Sequence, residues 1–217
     1  MSTATLFCKL CFKEIRSVSL SRFLHNDIPL CEKCLASLEP KMMVQKIEGF
    51  ELTSLYEYNE AVRSLLFQFK GCFDIELKDV FLAYQLPLLK ARYHSCHLVC
   101  APSYHEKDEE RGFNHVHEMF SSLSFPFIDC LKKTSDFKQA LHNKRGREEI
   151  SKHIIYDYSG SIEGKNIVLV DDLWTTGATA LCCAKLLKTH HPKSVRILVM
   201  GKTMPHTETE ENMSQEK

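Results

Sequence analysis

The sequence predicts an α/β protein, a mostly parallel sheet flanked by helices, with a small module at its N-terminus. Three observations carry that prediction. The run Ile167-Val-Leu-Val170 shows no polar alternation, which marks a strand buried on both faces, as in a parallel sheet. Segments of helical and strand period alternate along the chain upstream and downstream of it. Four cysteines fall as Cys8-x2-Cys11 and Cys31-x2-Cys34, with nineteen residues between the pairs. The 217 residues suffice for one ordinary domain and an appendage, and 44% hydrophobic with 26% charged residues is the balance of a globular protein with a real core. Lys and Arg (28) equal Asp and Glu (28), which excludes a polybasic coat for nucleic acid and leaves only a local patch.

The cysteine pairs come first along the chain. A C-x2-C turn sets two thiolates on one side of a metal, and two such turns complete the tetrahedral sulfur shell that zinc prefers. Four protein ligands leave no open position, so the expected Zn2+ on Cys8, Cys11, Cys31 and Cys34 is structural. The other six cysteines (Cys72, Cys96, Cys100, Cys130, Cys182, Cys183) lack this spacing and read as small packing residues. A segment this short cannot sustain itself by apolar burial, so residues 1–40 are expected to form a zinc-dependent module.

Residues 41–203 read as the body. Positions 52–58 alternate apolar and polar and predict a strand. Ala61, Leu65, Leu66 and Phe69 recur at helical spacing. Residues 80–89 read as a further helix and 97–101 as a short buried strand. After the strand at 167–170, Ala178, Leu181, Cys182 and Leu186 mark a helix, and 195–200 the next strand. The polar segment 204–217 is expected to be a disordered tail. No apolar run approaches the roughly 18–20 residues of a membrane span, so no membrane insertion is expected. The start MSTATLFCKLCF lacks a basic segment followed by an apolar stretch, so a cytoplasmic protein is expected.

Chemistry concentrates after the buried strand. It runs into Asp171 and Asp172 and then Leu-Trp-Thr175-Thr176-Gly177-Ala178-Thr179. Ligands of parallel sheets bind at the carboxyl ends of the strands. Thr175, Thr176 and Gly177 place hydroxyls and backbone N–H groups at a helix start, which suits a phosphate. Two carboxylates just upstream suit a vicinal diol, and phosphate plus diol describe a ribose 5-phosphate. A Walker B strand would also show four apolar residues and an acid. Its phosphate loop is missing, because Gly160-Ser-Ile-Glu-Gly164-Lys165-Asn166 is one residue short between its glycines and ends in Asn.

Residues 167–179 resemble the phosphoribosyl-diphosphate signature of type I phosphoribosyltransferases. Further landmarks are Phe67-Gln-Phe-Lys70-Gly71, Ala101-Pro102 leading to Arg111-Gly112-Phe113-Asn114-His115, and Thr134-x4-Gln139 before the basic Lys144-Arg145-Gly-Arg147. With the cysteine pairs, this order resembles the ComF family of competence-associated, phosphoribosyltransferase-like proteins. Three positions depart from that pattern: Cys100 replaces a proline, His115 a glutamine, and Ile150 stands near the place of an asparagine.

The resemblance implies a type I phosphoribosyltransferase-like fold that binds phosphoribosyl diphosphate with Mg2+. Asp171 and Asp172 would hold the ribose hydroxyls as the catalytic pair, with Asp172 helping to stabilise positive charge developing on the sugar. Thr175, Thr176, Gly177, Ala178 and Thr179 would enclose the 5-phosphate, and Arg111 would meet the pyrophosphate. The acceptor base is not legible. The implied role is DNA uptake in natural transformation, with single-stranded DNA and other competence proteins as partners. The alternative is a non-catalytic protein that keeps the fold and binds single strands through Lys132, Lys133, Lys138, Lys144, Arg145 and Arg147.

Overall fold

The computed structural model describes residues 6–15, 28–103, 105–134 and 153–203, with 105–107 by backbone alone. Five strands form the main sheet: β1 (Pro40–Ile47), β2 (Phe50–Glu57), β3 (His97–Cys100), β6 (Asn166–Trp174) and β7 (Ser194–Lys202). Their order is β1-β2-β7-β6-β3. The pairs β2/β7, β7/β6 and β6/β3 are parallel, and only the β1/β2 hairpin is antiparallel. A separate two-stranded antiparallel ribbon joins β4 (Leu131–Lys133) to β5 (Ile154–Tyr156).

Helices cover both faces. The α2 helix (Glu60–Gly71) starts at Asn59, whose Oδ1 accepts from the Val62 amide at 2.9 Å. It buries Val62, Leu65, Leu66 and Phe69, so the 3.6-residue stripe faces the sheet and its last turn carries Lys70 outward to the sheet's carboxyl end. The same layer holds α3 (Leu86–Arg92) and α5 (His115–Phe120), packed on Val168, Val170, Leu198 and Met200. On the opposite face α6 (Ala178–Lys188) packs on Ile167, Leu169, Ile197 and Val199. Each strand thus sends alternate side chains into two separate cores, as the pleat requires.

The N-terminal segment shares the first of these cores. Cys8, Leu30 and Leu38 are buried in one cluster with Phe69, Phe81 and Phe120. Lys9 Nζ donates to the Glu76 carbonyl at 2.7 Å and to Asp79 Oδ2 at 2.8 Å, and Asn59 Nδ2 donates to the Ser37 carbonyl at 3.2 Å.

Two expectations need correction. The helix read at 80–89 is absent: a 3₁₀ turn spans Ile75–Val80 and α3 begins at Leu86. Pro87 is the reason. Inside a continuous helix its ring would strike the carbonyl four residues back, whereas in the first turn of α3 it is tolerated. The packing role read for Cys72 also fails, because that residue is exposed, while Cys96, Cys130 and Cys183 are buried as expected. Strand β1 and helix α1 (Glu32–Leu38) were not read from the sequence. The tail 204–217, Lys138, Lys144, Arg145, Arg147, Gln139 and Ile150 lie outside the described residues.

Candidate functional site

Four thiols converge at the N-terminus. The Sγ atoms of Cys8, Cys11, Cys31 and Cys34 all lie within 4.8 Å of one another, and Cys11 and Cys31 Sγ are 3.6 Å apart. A tetrahedral zinc with Zn–S of about 2.3 Å would set its sulfurs about 3.8 Å apart, so the cluster already has nearly the size of the ion's shell. The electrostatics agree. Burial pushes the Cys8 thiol up, but amides of Cys31, Cys11 and Leu10 outweigh it and bring the thiol down to about 7. Burial and the three neighbouring thiols push Cys34 well above the ordinary range. Four such groups cannot all ionise together unless a cation compensates them. The donor set therefore fits zinc.

The second constellation forms at the carboxyl end of β6. Strand β3 ends at Cys100, opposite Val170, and the Ala101 amide donates to the Val170 carbonyl at 2.8 Å. Beyond that point β6 runs on through Asp171, Asp172, Leu173 and Trp174 with its β3 side unpaired, which opens a crevice at the strand ends. Strand alternation sends the two acids to opposite faces. Asp172 continues the Val168–Val170 row toward α2 and α5, and Asp171 continues the Ile167–Leu169 row toward α6.

Their environments differ accordingly. Lys70 Nζ donates to Asp172 Oδ2 at 2.5 Å, and His115 Nε2 stands 3.4 Å from the same oxygen. Although burial opposes it, the His115 contact and the Lys70 charge hold the Asp172 carboxyl far below its usual range. Asp171 makes no ion pair among the described residues, and the Lys70 charge acts on it only weakly. Burial, with the Asp172 charge next to it, pushes its carboxyl up to about 8, against the Asp172 amide that donates to Asp171 Oδ1 at 2.9 Å. The two neighbouring acids are therefore pushed in opposite directions, Asp172 toward its charged form and Asp171 toward its neutral one.

This asymmetry yields a stability test. A carboxyl raised from about 3.8 to about 8 stabilises the fold as its neutral form, fully below the unfolded value, and that contribution is lost as pH rises through the folded value. Wild-type stability should therefore fall between about pH 5 and pH 8, by up to about 1.4 kcal/mol per unit from this group. Asp171→Asn should flatten that part of the profile and raise the melting midpoint at the alkaline end. Parallel profiles for the two proteins would refute the assignment.

The segment between β3 and α5 holds the cationic side of the crevice. Arg111 ends α4 (His105–Arg111), where Gly112 at φ +81° breaks the helix. Phe113 packs its ring 5.3 Å from that of Phe69, fixing the segment against the end of α2. Arg111 Nη1 donates to Asp108 Oδ1 at 2.9 Å and Nε to the Lys70 carbonyl at 3.3 Å. Asn114 accepts from the His117 amide at 2.9 Å as the cap of α5, and its Nδ2 donates to Asp108 Oδ2 at 3.0 Å. His117 is exposed and stacks on Phe127 at 4.2 Å, apart from this network.

The Thr175–Thr179 loop follows β6 directly. Gly177 caps α6 at φ +73° and, having no side chain, offers no cap of its own. A Cβ at Gly177 would lie 2.0 Å from the Trp174 ring, so both backbone conformation and space require glycine. The first amides of α6 are turned toward the crevice end, with Thr176 Oγ1 only 3.4 Å from the Ala178 amide. The structure brings Asp171, Asp172 and this loop together on one strand–loop–helix unit, with Arg111 joined to Asp172 through His115. The resemblance placed the whole loop 102–114 at the pyrophosphate, with Arg111 as its contact, and singled out neither Asp108 nor Asn114; Trp174 was given no role. A usable signal was the period-2 row Val168-Val170-Asp172, which already placed Asp172 on the α2 side.

Comparison with known proteins agrees with this geometry. Residues 109–213 match the family described as the phosphoribosyl transferase domain. Competence protein ComFC of Bacillus subtilis is 35% identical over 137 residues, 62% of this chain and 56% of that protein, so the match spans little more than half the relative's length. ComFC of Streptococcus pneumoniae is 26% identical over 215 residues, covering 87% of this chain and 96% of the relative. A hypoxanthine phosphoribosyltransferase structure from Staphylococcus aureus superposes with a TM-score of 0.42 at 16% identity, over 61% of this chain and 75% of that one. The parallel sheet, the domain match and the two competence-protein relatives agree: the chain has a type I phosphoribosyltransferase-like fold with an N-terminal four-cysteine cluster, and it is similar to the ComFC competence proteins.

Proposed function

We propose that this chain binds phosphoribosyl diphosphate at the β6–α6 loop, in the service of competence and DNA uptake in the cytoplasm. The observation that carries the proposal is Asp172, held by Lys70 and His115 at an open carboxyl end of β6, a few residues before the Thr176-Gly177 start of α6. Asp171 and Asp172 would take the ribose hydroxyls, and the amides and hydroxyls of 175–179 the 5-phosphate. The remaining N–H groups of Arg111 would meet the pyrophosphate. In the same reading, residues 1–40 are a zinc module and 41–203 the ligand-binding body.

Asp171 and Asp172, at the carboxyl end of β6, are the carboxylates nearest to where magnesium would accompany the ligand. Bound there, magnesium would neutralise a departing pyrophosphate. The carboxylate of Asp172 would face positive charge developing on the sugar.

A second reading, single-strand binding, draws support from Phe67 and Phe73, which lie exposed at 64% and 44% around the end of α2 and suit base stacking. The basic segment supports it less: of its described members, Lys132 is paired with Asp157 at 2.6 Å. Thermal unfolding separates the two. Phosphoribosyl diphosphate with magnesium should raise the midpoint by mass action, and an oligonucleotide should not do so at the same concentration. A shift with the oligonucleotide alone would transfer the function to the second reading.

A further inference from the structure

His115 sits at the first position of α5, its side chain only 11% exposed, with both ring nitrogens engaged. Nδ1 lies 3.1 Å from Arg111 Nη1, and Nε2 lies 3.4 Å from Asp172 Oδ2. A guanidinium has donors and no acceptor, so Nδ1 must be the accepting nitrogen and carry no proton. The single proton of the neutral ring is then on Nε2, directed at Asp172. Arg111 cannot turn away, because Asp108 and the Lys70 carbonyl hold its Nη1 and Nε. Asp108 is held in turn by Asn114 and the Ser103 hydroxyl.

We propose that His115 is a positioning residue, locked as the neutral Nε2–H tautomer, that orients the Asp172 carboxylate for a ribose diol. Lys70 and His115 both use Oδ2, which leaves Oδ1 to the ligand. Among the described side chains, the charged groups facing the ring are Arg111 and Asp108 from α4, and Asp172 with its Lys70 partner. Asp171 points to the other face, and on α5 itself Glu118 is paired with Lys78 at 2.9 Å. Protonating the ring would turn Nδ1–H against the Arg111 donor, while Asp108 Oδ1 at 4.0 Å is too distant to accept it. Lys70 supplies the full positive charge beside Asp172, and the ring adds a donor whose direction is fixed. Glutamine offers the same pair of functions without charge: its carbonyl oxygen accepts from Arg111 and its amide donates to Asp172.

The diol role of Asp172 is inherited from the proposed function, so the test has one arm that does not need it. Imidazole nitrogen NMR on the full chain should show His115 with its proton on Nε2 and none on Nδ1. In the second arm, calorimetry with phosphoribosyl diphosphate and magnesium should find affinity in His115→Gln within about threefold of wild type. His115→Ala should lose about ten- to a hundredfold. An Nδ1–H ring, or a glutamine variant as weak as alanine, would overturn the proposal. If wild type binds no phosphoribosyl diphosphate, the functional reading falls and the NMR result alone decides the tautomer.

Discussion

Protein carrying Cys31→Ser and Cys34→Ser together should purify without its one equivalent of zinc and unfold at a much lower temperature. Metal analysis and a thermal scan measure both. Structural zinc binding is worth about 10–16 kcal/mol in peptides where it drives folding, and two ligands of four cannot hold the ion against water. The loss is not confined to the module. Cys8, Leu30 and Leu38 belong to the same buried cluster as Phe69 and Phe120, so opening the knuckles exposes one end of the main core. If only about 4 kcal/mol of the binding energy reaches the body, the midpoint should fall by roughly 8–16 °C. Unchanged zinc content would refute the ligand set. Lost zinc with an unchanged midpoint would show that the module melts alone.

Asp172→Asn should have the largest effect on ligand binding. An amide of the same size loses the charge that Lys70 compensates and at least one strong acceptor for the diol. At about 1.5–3 kcal/mol per charge-assisted hydrogen bond, affinity for phosphoribosyl diphosphate with magnesium should drop by about ten- to more than a hundredfold. Its effect on stability should be opposite in sign to that of Asp171→Asn. Asp172 titrates below its unfolded value, so it stabilises the fold above about pH 4, and that contribution is lost only as pH falls toward strong acid. The variant should therefore melt lower than wild type at neutral pH. Thr176→Val, which removes one hydroxyl and leaves the α6 amides in place, should weaken binding less. Equal losses for the two variants would place the ligand away from Asp172.

The β6–α6–β7 unit was legible because an unbroken aliphatic run can only be a strand covered on both sides, and Gly177 then marks the turn into the helix. The cysteine cluster was legible from spacing alone. What escaped is non-local or depends on turn chemistry. Lys70 and Asp172 are 102 residues apart in sequence, and nothing in either neighbourhood announces that they meet. His115 read as a departure from a motif, whereas its role comes from the donor on one side and the carboxylate on the other. Strand β1 was hidden because it opens on Pro40, at the boundary read between module and body, and PKMMVQKI lacks clean alternation on its exposed edge. The positive φ angles of Glu48 (49°) and Gly49 (86°) make the two-residue hairpin that pairs it with β2.

The packing of Trp174 on Gly177 also gives the molecule a built-in optical probe. Trp174 is the single tryptophan among the 217 residues, and its indole is almost fully buried against the backbone at the start of α6. Indole emission from the intact chain therefore originates at one place, the loop expected to close on a phosphate. Any ligand that lifts or tightens that loop changes the polarity around one ring. A change in colour or intensity can then be assigned to the loop without labelling, mutating or shortening the protein.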